Sequence, residues 1–403
     1  MKLKSLQSFN YALAVFAATL VFASGASASN FEVLHEFLDR PGMDPSAALV
    51  ADSAGNLYGT TRYSVGQGCV EGCGVVFELA RFGGHWTYNI IHRFSGPDGA
   101  EPFAPLIVDS AGNLYGTTET GGANGMGTVY EVSPSGTKWK ERVLRSFGSS
   151  DDLSYPNSGL TMDASGNLYG CALFGGTLGH GGVFELKLSG GRWQETIIYD
   201  FSRDAGGSGA LVWDSAGNLY GTTNSGGTHK QGVVFKLTPS SGGNWTEAVL
   251  YNFLNRSGNG VTFDSAGNLY GTTVDGGLTS CNPPYGCGGV FELSPSGSGW
   301  TFHMLHRFNG SDGWFAYYGV NLDSAGNLYG ATYYGGAYGD ETYGLVFKLS
   351  QSGGIWKETV LHSFDNSDGA NPSGGLIFGP EGALYGVTAR GGTNDGVIFS
   401  VMP

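Results

Sequence analysis

A chain of 403 residues with 13% charged side chains, 13% aromatics and 71 glycines is too rich in rings and β-branched residues to stay disordered. Its glycine load suits short strands and tight turns rather than helices. A formal net charge of −14 excludes nucleic acid and anionic membrane as partners, because both require basic patches. The chain opens with a leader: Lys2 and Lys4 precede an apolar run from Tyr11 to Ala23, shorter than the roughly 20 residues of a membrane span. Ala26-Ser27-Ala28 is a small-x-small cleavage signal. Residues 1–28 therefore read as a signal peptide, and 29–403 as one secreted domain, extracellular or periplasmic. No later segment is long and apolar enough to span a bilayer.

The string Asp-Ser-Ala-Gly-Asn-Leu-Tyr-Gly-Thr-Thr begins at Asp52 and returns at Asp109, Asp163, Asp214, Asp264 and Asp323, with a degenerate copy at Gly379. The spacings of 57, 54, 51, 50, 59 and 56 residues signal a repeat architecture. Each repeat reads as four strands, a to d. In the sixth copy Gly319–Leu322 is strand a, Asp323–Asn327 a turn, Leu328–Thr332 strand b, Val346–Leu349 strand c and Trp356–Phe364 strand d. Strand d starts at Trp86, Trp139, Trp193, Trp245, Trp300 and Trp356 and ends eight residues later on phenylalanine. An even offset puts both rings on one face.

Seven copies of strands a and b meet only six tryptophan-led d strands, and the last repeat stops after strand c. The missing strand is Phe31–Phe37, which matches Thr359–Phe364. An open solenoid has no use for this permutation, whereas a closed ring does. The expected fold is all-β: a seven-bladed β-propeller of four-stranded antiparallel blades, its last blade completed by the N-terminal strand.

Gly-Asn-Leu-Tyr-Gly-Thr-Thr, the following Gly-Gly and then Gly-x-Val-Phe-x-Leu resemble the choice-of-anchor tandem repeat GloVer-containing family over essentially the whole mature chain. The resemblance implies an extracellular β-propeller repeat protein and supplies no catalytic residues. The chain ends at Val401-Met402-Pro403, so a freely secreted form is expected. The double glycine is also similar to kelch repeats, and the aspartate turn to the sialidase Asp-box. The spacing differs from the latter, which leaves turn mechanics in common and not chemistry.

Strand order puts the b–c and d–a loops on one rim, and their variation makes that rim the expected binding surface. The d–a loop around Trp314, Phe315, Tyr317 and Tyr318, with Tyr338 in the next b–c loop, is a candidate platform for sugar rings or apolar side chains, against the alternative that these rings cap the channel or pack between blades. Rim acids include Asp98, Glu101, Asp151, Asp152, Asp204, Asp312 and Asp368; of these, Glu101 and Asp152 are ligand-binding candidates. Cys69 with Cys73, and Cys281 with Cys287, bracket two loops and read as disulfides in a secreted protein, with Cys171 a buried thiol. His35, His92, His306 and His362 share one repeat position and read as packing residues. The expected function is a non-enzymatic, monomeric binding scaffold for polysaccharide or extracellular protein, with no cofactor and no metal. The alternatives are a glycan-active hydrolase or lyase with acids at the channel, and a structural cell-surface protein.

Overall fold

The aspartate of each repeat builds the turn between strands a and b. Asp52 Oδ1 accepts from the backbone N–H groups of Ala54 and Asn56, both at 2.9 Å. Its Oδ2 accepts from Asn56 Nδ2 at 2.9 Å and from the Tyr58 hydroxyl at 3.1 Å. Gly55 N–H returns to the Asp52 carbonyl at 3.1 Å. Its φ of +84° is a conformation that L side chains resist. Asp109, Asp163, Asp214, Asp264 and Asp323 repeat the arrangement. In the degenerate copy the turn persists without its aspartate, Gly379 N–H donating to Ala383 O at 2.9 Å.

The computed structural model describes residues 30–403 apart from 39–41, 65–67, 70–71, 149–151, 203–205, 280 and 340–341. The leader 1–28, with its cleavage site, and the rim acids Asp151 and Asp204 lie outside the described residues. Blade one is the sheet Val50–Ala51, Leu57–Thr61, Val75–Phe82, His85–Arg93 in the order a-b-c-d. Blades two to six repeat that order. Blade seven takes Ile377–Phe378, Leu384–Arg390 and Val397–Val401 from the end of the chain and Phe31–Glu36 from its start. Phe31 lies opposite Val401 and Glu36 opposite Val397, with an irregularity between Val33 and His35. The propeller is thus all-β and seven-bladed, closed by its N-terminal strand.

Seven apolar clusters fill the seven seams between successive blades. The N-terminal strand serves two of them: Phe37 is buried in the seam of blades seven and one, and Phe31 packs into that of six and seven. In five of the seams the tryptophan that opens strand d meets the strand-b tyrosine of the preceding blade, as Trp139 meets Tyr58 and Trp86 meets Tyr385. Strand a is shorter than its sequence suggests. Only Asn321–Leu322 of the expected Gly319–Leu322 pairs in blade six, because only the residues beside the turn stay in ladder reach where blades converge on the axis. Blade four is the exception, its first strand running Gly207–Trp213.

Candidate functional site at the channel mouth

The seven strand-a segments enclose a central cavity of about 360 Å³. Its wall is mostly small and apolar, with Ala48, Ala104, Gly159, Ala210 and Val320 among its residues, and no carboxylate among the described residues lines it. The mouth of this cavity lies on the rim of the d–a loops.

There the d–a loops build a ring that sequence reading missed. Arg62 N–H donates to Asp44 O at 3.1 Å, Glu119 to Glu101 at 3.0 Å, and Leu173 to Tyr155 at 3.2 Å. Asn224 likewise donates to Gly206 at 3.4 Å, Val274 to Arg256 at 2.9 Å, and Tyr333 to Phe315 at 3.1 Å. In blade seven the ladder sets Asn371 opposite Ala389. One position per blade thus recurs just before each channel-lining segment. Its seven occupants, Asp44, Glu101, Tyr155, Gly206, Arg256, Phe315 and Asn371, are all different, although the turn and strand positions barely vary. Asp44, Glu101, Tyr155, Phe315 and Asn371 have left-handed backbones, φ between 56° and 65°. Each such residue costs about 1–3 kcal/mol and persists only where the surroundings over-determine it. The b–c loop of the preceding blade does so: Cys73 O accepts from Glu101 N–H at 3.0 Å, and Cys287 O from Phe315 N–H at 3.3 Å. Both carbonyls belong to disulfides, Cys69–Cys73 and Cys281–Cys287. The expected pairings are formed, and each braces a mouth residue. The remaining cysteine, Cys171, is buried, and burial pushes its thiol up to about 12. The X-Pro dipeptides Asp44-Pro45, Glu101-Pro102, Tyr155-Pro156 and Asn371-Pro372 are the signal that could have revealed the ring.

Glu101 is paired rather than bare. Arg62 Nη2 lies 2.8 Å from Glu101 Oε2 and 3.6 Å from Glu119 Oε2, and its guanidinium sits over the rings of Tyr63 and Phe103. Glu119 is raised above its ordinary range, mainly by burial, with Arg62 opposing and Glu101 adding to the shift. Asp152 is not at the mouth. It is 6% exposed, accepts from Arg145 Nη2 at 2.6 Å and from Gly148 N–H at 3.0 Å, and belongs to the outer part of the blades.

The aromatic loop divides. Trp314 is buried in the seam of blades five and six. Phe315 and Tyr317 are half-buried and lie nearly parallel, 6.1 Å apart, with Arg256 over the Phe315 ring. Tyr318 is half-buried, lines the channel and donates its hydroxyl to Ser46 O at 3.1 Å. Tyr338 is exposed. A polar cavity of about 580 Å³ opens beside Asp44 and Tyr333 on the same rim.

Outside the mouth a second ring crosses the seams. The sixth residue after each strand-d tryptophan faces the second residue after the tryptophan of the next blade. Where the latter is glutamate, Arg145 Nε donates to Glu195 at 2.5 Å and the Tyr199 hydroxyl to Glu247 at 2.7 Å, while His306 Nε2 lies 3.2 Å from Glu358 Oε2. Where it is aromatic, a flat ring stacks on it: His35 on Tyr88 at 4.2 Å, Tyr251 on Phe302 at 4.4 Å, and His362 on Phe31 at 3.6 Å. The histidines are packing residues there, but they also hold loop aspartates. His92 lies 3.1 Å from Asp98, His306 3.3 Å from Asp312 and His362 2.8 Å from Asp368. Burial pulls the His306 imidazole down, but Asp312 and Glu358 outweigh it and raise it to about 9.

The model of the Gloeobacter/Verrucomicrobia repeat matches residues 64–281 and 249–403. No curated protein matches the chain. Among solved structures it is similar to a polysaccharide lyase of family PL25, an ulvan lyase, at 11% identity and a TM-score of 0.55, covering 89% of this chain and 93% of that one. It is also similar to a candidate 6-phosphogluconolactonase from Bacteroides uniformis, at 12% identity and a TM-score of 0.52, covering 80% and 86%. A third likeness is to the extracellular domain of a candidate one-component system of B. thetaiotaomicron, at 10% identity and a TM-score of 0.54, covering 92% of this chain and 39% of that one. At such identities these likenesses speak for the fold alone.

Proposed function

The chain belongs to the Gloeobacter/Verrucomicrobia repeat family, and from that premise we propose that it is a secreted, non-enzymatic propeller that binds a polysaccharide, or alternatively an extracellular protein, on the rim of its d–a and b–c loops. One observation carries this reading: the single position that returns around the channel mouth holds seven different side chains, five of them in left-handed backbone. Side-chain divergence at one repeat position, where five of the eight described non-glycine residues with left-handed backbone also gather, is what a binding ring on a repeating scaffold would show. The ring is lopsided. Phe315, Tyr317 and Tyr333 gather aromatic rings in blade six, and Asp44, Glu101 and Glu119 offer hydrogen-bond acceptors in blades one and two. Sugar chains display that combination in reverse, with apolar ring faces edged by hydroxyl donors. Glycan arrays and secreted-protein screens on the mature chain test the reading. Phe315→Ala and Tyr333→Ala are expected to weaken the captured ligand at least tenfold with the melting temperature within a few degrees. Unchanged binding in both variants removes the mouth from consideration.

A second reading, a glycan-active hydrolase or lyase, rests on Glu101 and Glu119. Two carboxylates anchored on one guanidinium nitrogen stand closer than the roughly 6.5–9.5 Å of an inverting pair, and Glu119 is raised toward the range of a general acid. Sugar released in the same wells by the wild type and not by Glu119→Gln favours this reading; no release in either favours binding alone.

A further inference from the structure

We propose that His92, Asp98 and Glu141, and again His306, Asp312 and Glu358, form two equivalent sites for a first-row divalent cation of the zinc class. Each site joins the strand-d histidine and d–a loop aspartate of one blade to the strand-d glutamate of the next, across the seams of blades one and two and of blades five and six. Each residue offers one ligand atom, and the three atoms of a site lie within 4.8 Å of one another.

The geometry fits a small cation. A tetrahedral ion with bonds near 2.0 Å to nitrogen and oxygen sets its ligand atoms about 3.3 Å apart. His306 Nε2 stands 3.3 Å from Asp312 Oδ2 and 3.2 Å from Glu358 Oε2, and His92 Nε2 stands 3.1 Å from Asp98 Oδ2. Despite those distances, His306 Nε2 is a buried nitrogen without a well-directed hydrogen bond. Glu358 is 8% exposed, and its Oε1 is buried without a hydrogen-bond partner. Three protein ligands leave a fourth position for water, and the histidine and aspartate, 18% and 21% exposed, leave a path for the ion to enter. Calcium, which takes about 6–8 oxygens, finds too few here.

The repeat itself argues that a cation belongs at this place. Where the same two carboxylates converge between blades two and three, Arg145 occupies the histidine position and reaches Asp152 at 2.6 Å and Glu195 at 2.5 Å. Glu195 Oε1 is likewise without a hydrogen-bond partner there, so the arginine answers the charge of the pair and not that oxygen. Where the glutamate is replaced by Phe31, His362 keeps Asp368 and stacks on the ring instead. One chain therefore contains two candidate sites, one place filled by a fixed cation and one lacking a ligand.

The test uses the untagged full chain with its disulfides intact, stripped with chelator and then equilibrated with zinc. Metal content after dialysis is expected to be two zinc ions per chain. His306→Arg copies the solution of blade two and should keep the fold while lowering the content to one. His92→Arg combined with His306→Arg should lower it to none, and His362→Arg should leave it at two. Cobalt in place of zinc should give the visible bands of a four-coordinate ion, lost in the double variant. A wild-type chain that retains fewer than two ions, or a folded double variant that retains both, overturns the proposal; in either case the clusters are ion triplets in which protonated histidine is the cation. Neither result bears on ligand binding at the mouth.

Discussion

Glycine in the middle of strand b has a reason that its own conformation does not supply. Gly59 pairs directly with Phe77 of strand c, and the Phe77 ring folds back over it. A Cβ on Gly59 would stand 2.5 Å from Phe77 Cζ and 2.9 Å from Leu49 Cδ2. Gly170, Gly221, Gly271, Gly330 and Gly386 meet Phe184, Phe235, Phe291, Phe347 and Phe399 in the same way. Gly59→Ala is therefore expected to cost about 1–3 kcal/mol through overpacking, read as a lower urea midpoint at constant slope, and Phe77→Leu in the same chain should return part of it. An unchanged midpoint for Gly59→Ala contradicts the account. This contact was not legible beforehand. The turn glycine announces itself through its neighbours Asp52 and Asn56, whereas the strand glycine is explained only by a partner 18 residues away whose register must be known. The mouth ring escaped for a similar reason: Glu101 and Phe315 can be matched to each other only through their backbone bonds to Glu119 and Tyr333. Trp314 was legible as unusual, and packing between blades was one of the readings open to it; the structure takes that reading, since Trp314 pairs with Tyr334 and turns its ring into the seam.

At the scale of the element, the a–b turn makes stability depend on acid in a definite sense. Burial alone pushes the carboxyls of Asp109, Asp163, Asp214, Asp264 and Asp323 upward. The hydrogen bonds from the asparagine side chain, the backbone N–H groups and the tyrosine hydroxyl outweigh it and hold them below their ordinary range. A group whose carboxyl is lower in the folded state than in the unfolded one stabilises fully above its unfolded value, near 3.9. That contribution is lost as pH falls through the folded value. The melting temperature should consequently decline below about pH 4, and Asp214→Asn with Asp264→Asn should shallow that decline. Glu141 and Glu195, raised to about 7 chiefly by burial, change charge at higher pH, whereas Asp98 and Asp365 are also held low and share the acid window, so it is the asparagine variants that single out the turns. A melting temperature that is level down to about pH 2 sinks the argument. The turn was readable from its string of residues because all its partners lie within six positions of the aspartate. The seam-crossing pairs were half readable: their repeat position was evident, but their partners belong to the next blade.

At the scale of the molecule, the ring depends on one short strand. Phe31–Glu36 makes five register pairs with Val397–Val401, and each ladder bond is worth about 1 kcal/mol net. Burying Phe37 and much of Phe31 adds roughly 2 kcal/mol apiece. The sum is comparable to the 5–15 kcal/mol, roughly, that holds a whole domain together, and the same strand covers an edge that would otherwise recruit other chains. Removing residues 29–38 should therefore yield insoluble protein, or soluble protein without a cooperative melt. Misfolding caused merely by shortening the chain is separable from loss of closure, because the two ends meet: Met402 N–H donates to Asn30 O at 2.7 Å, and Phe31 lies opposite Val401. Moving the segment from Asn30 to Leu38 behind Pro403 through a short glycine turn keeps every register pair while reversing its place in the sequence. This permutant should recover solubility and a single sharp transition. A truncated chain that melts cooperatively, or a permutant no better than the truncation, means that the seventh blade is not what holds the ring shut.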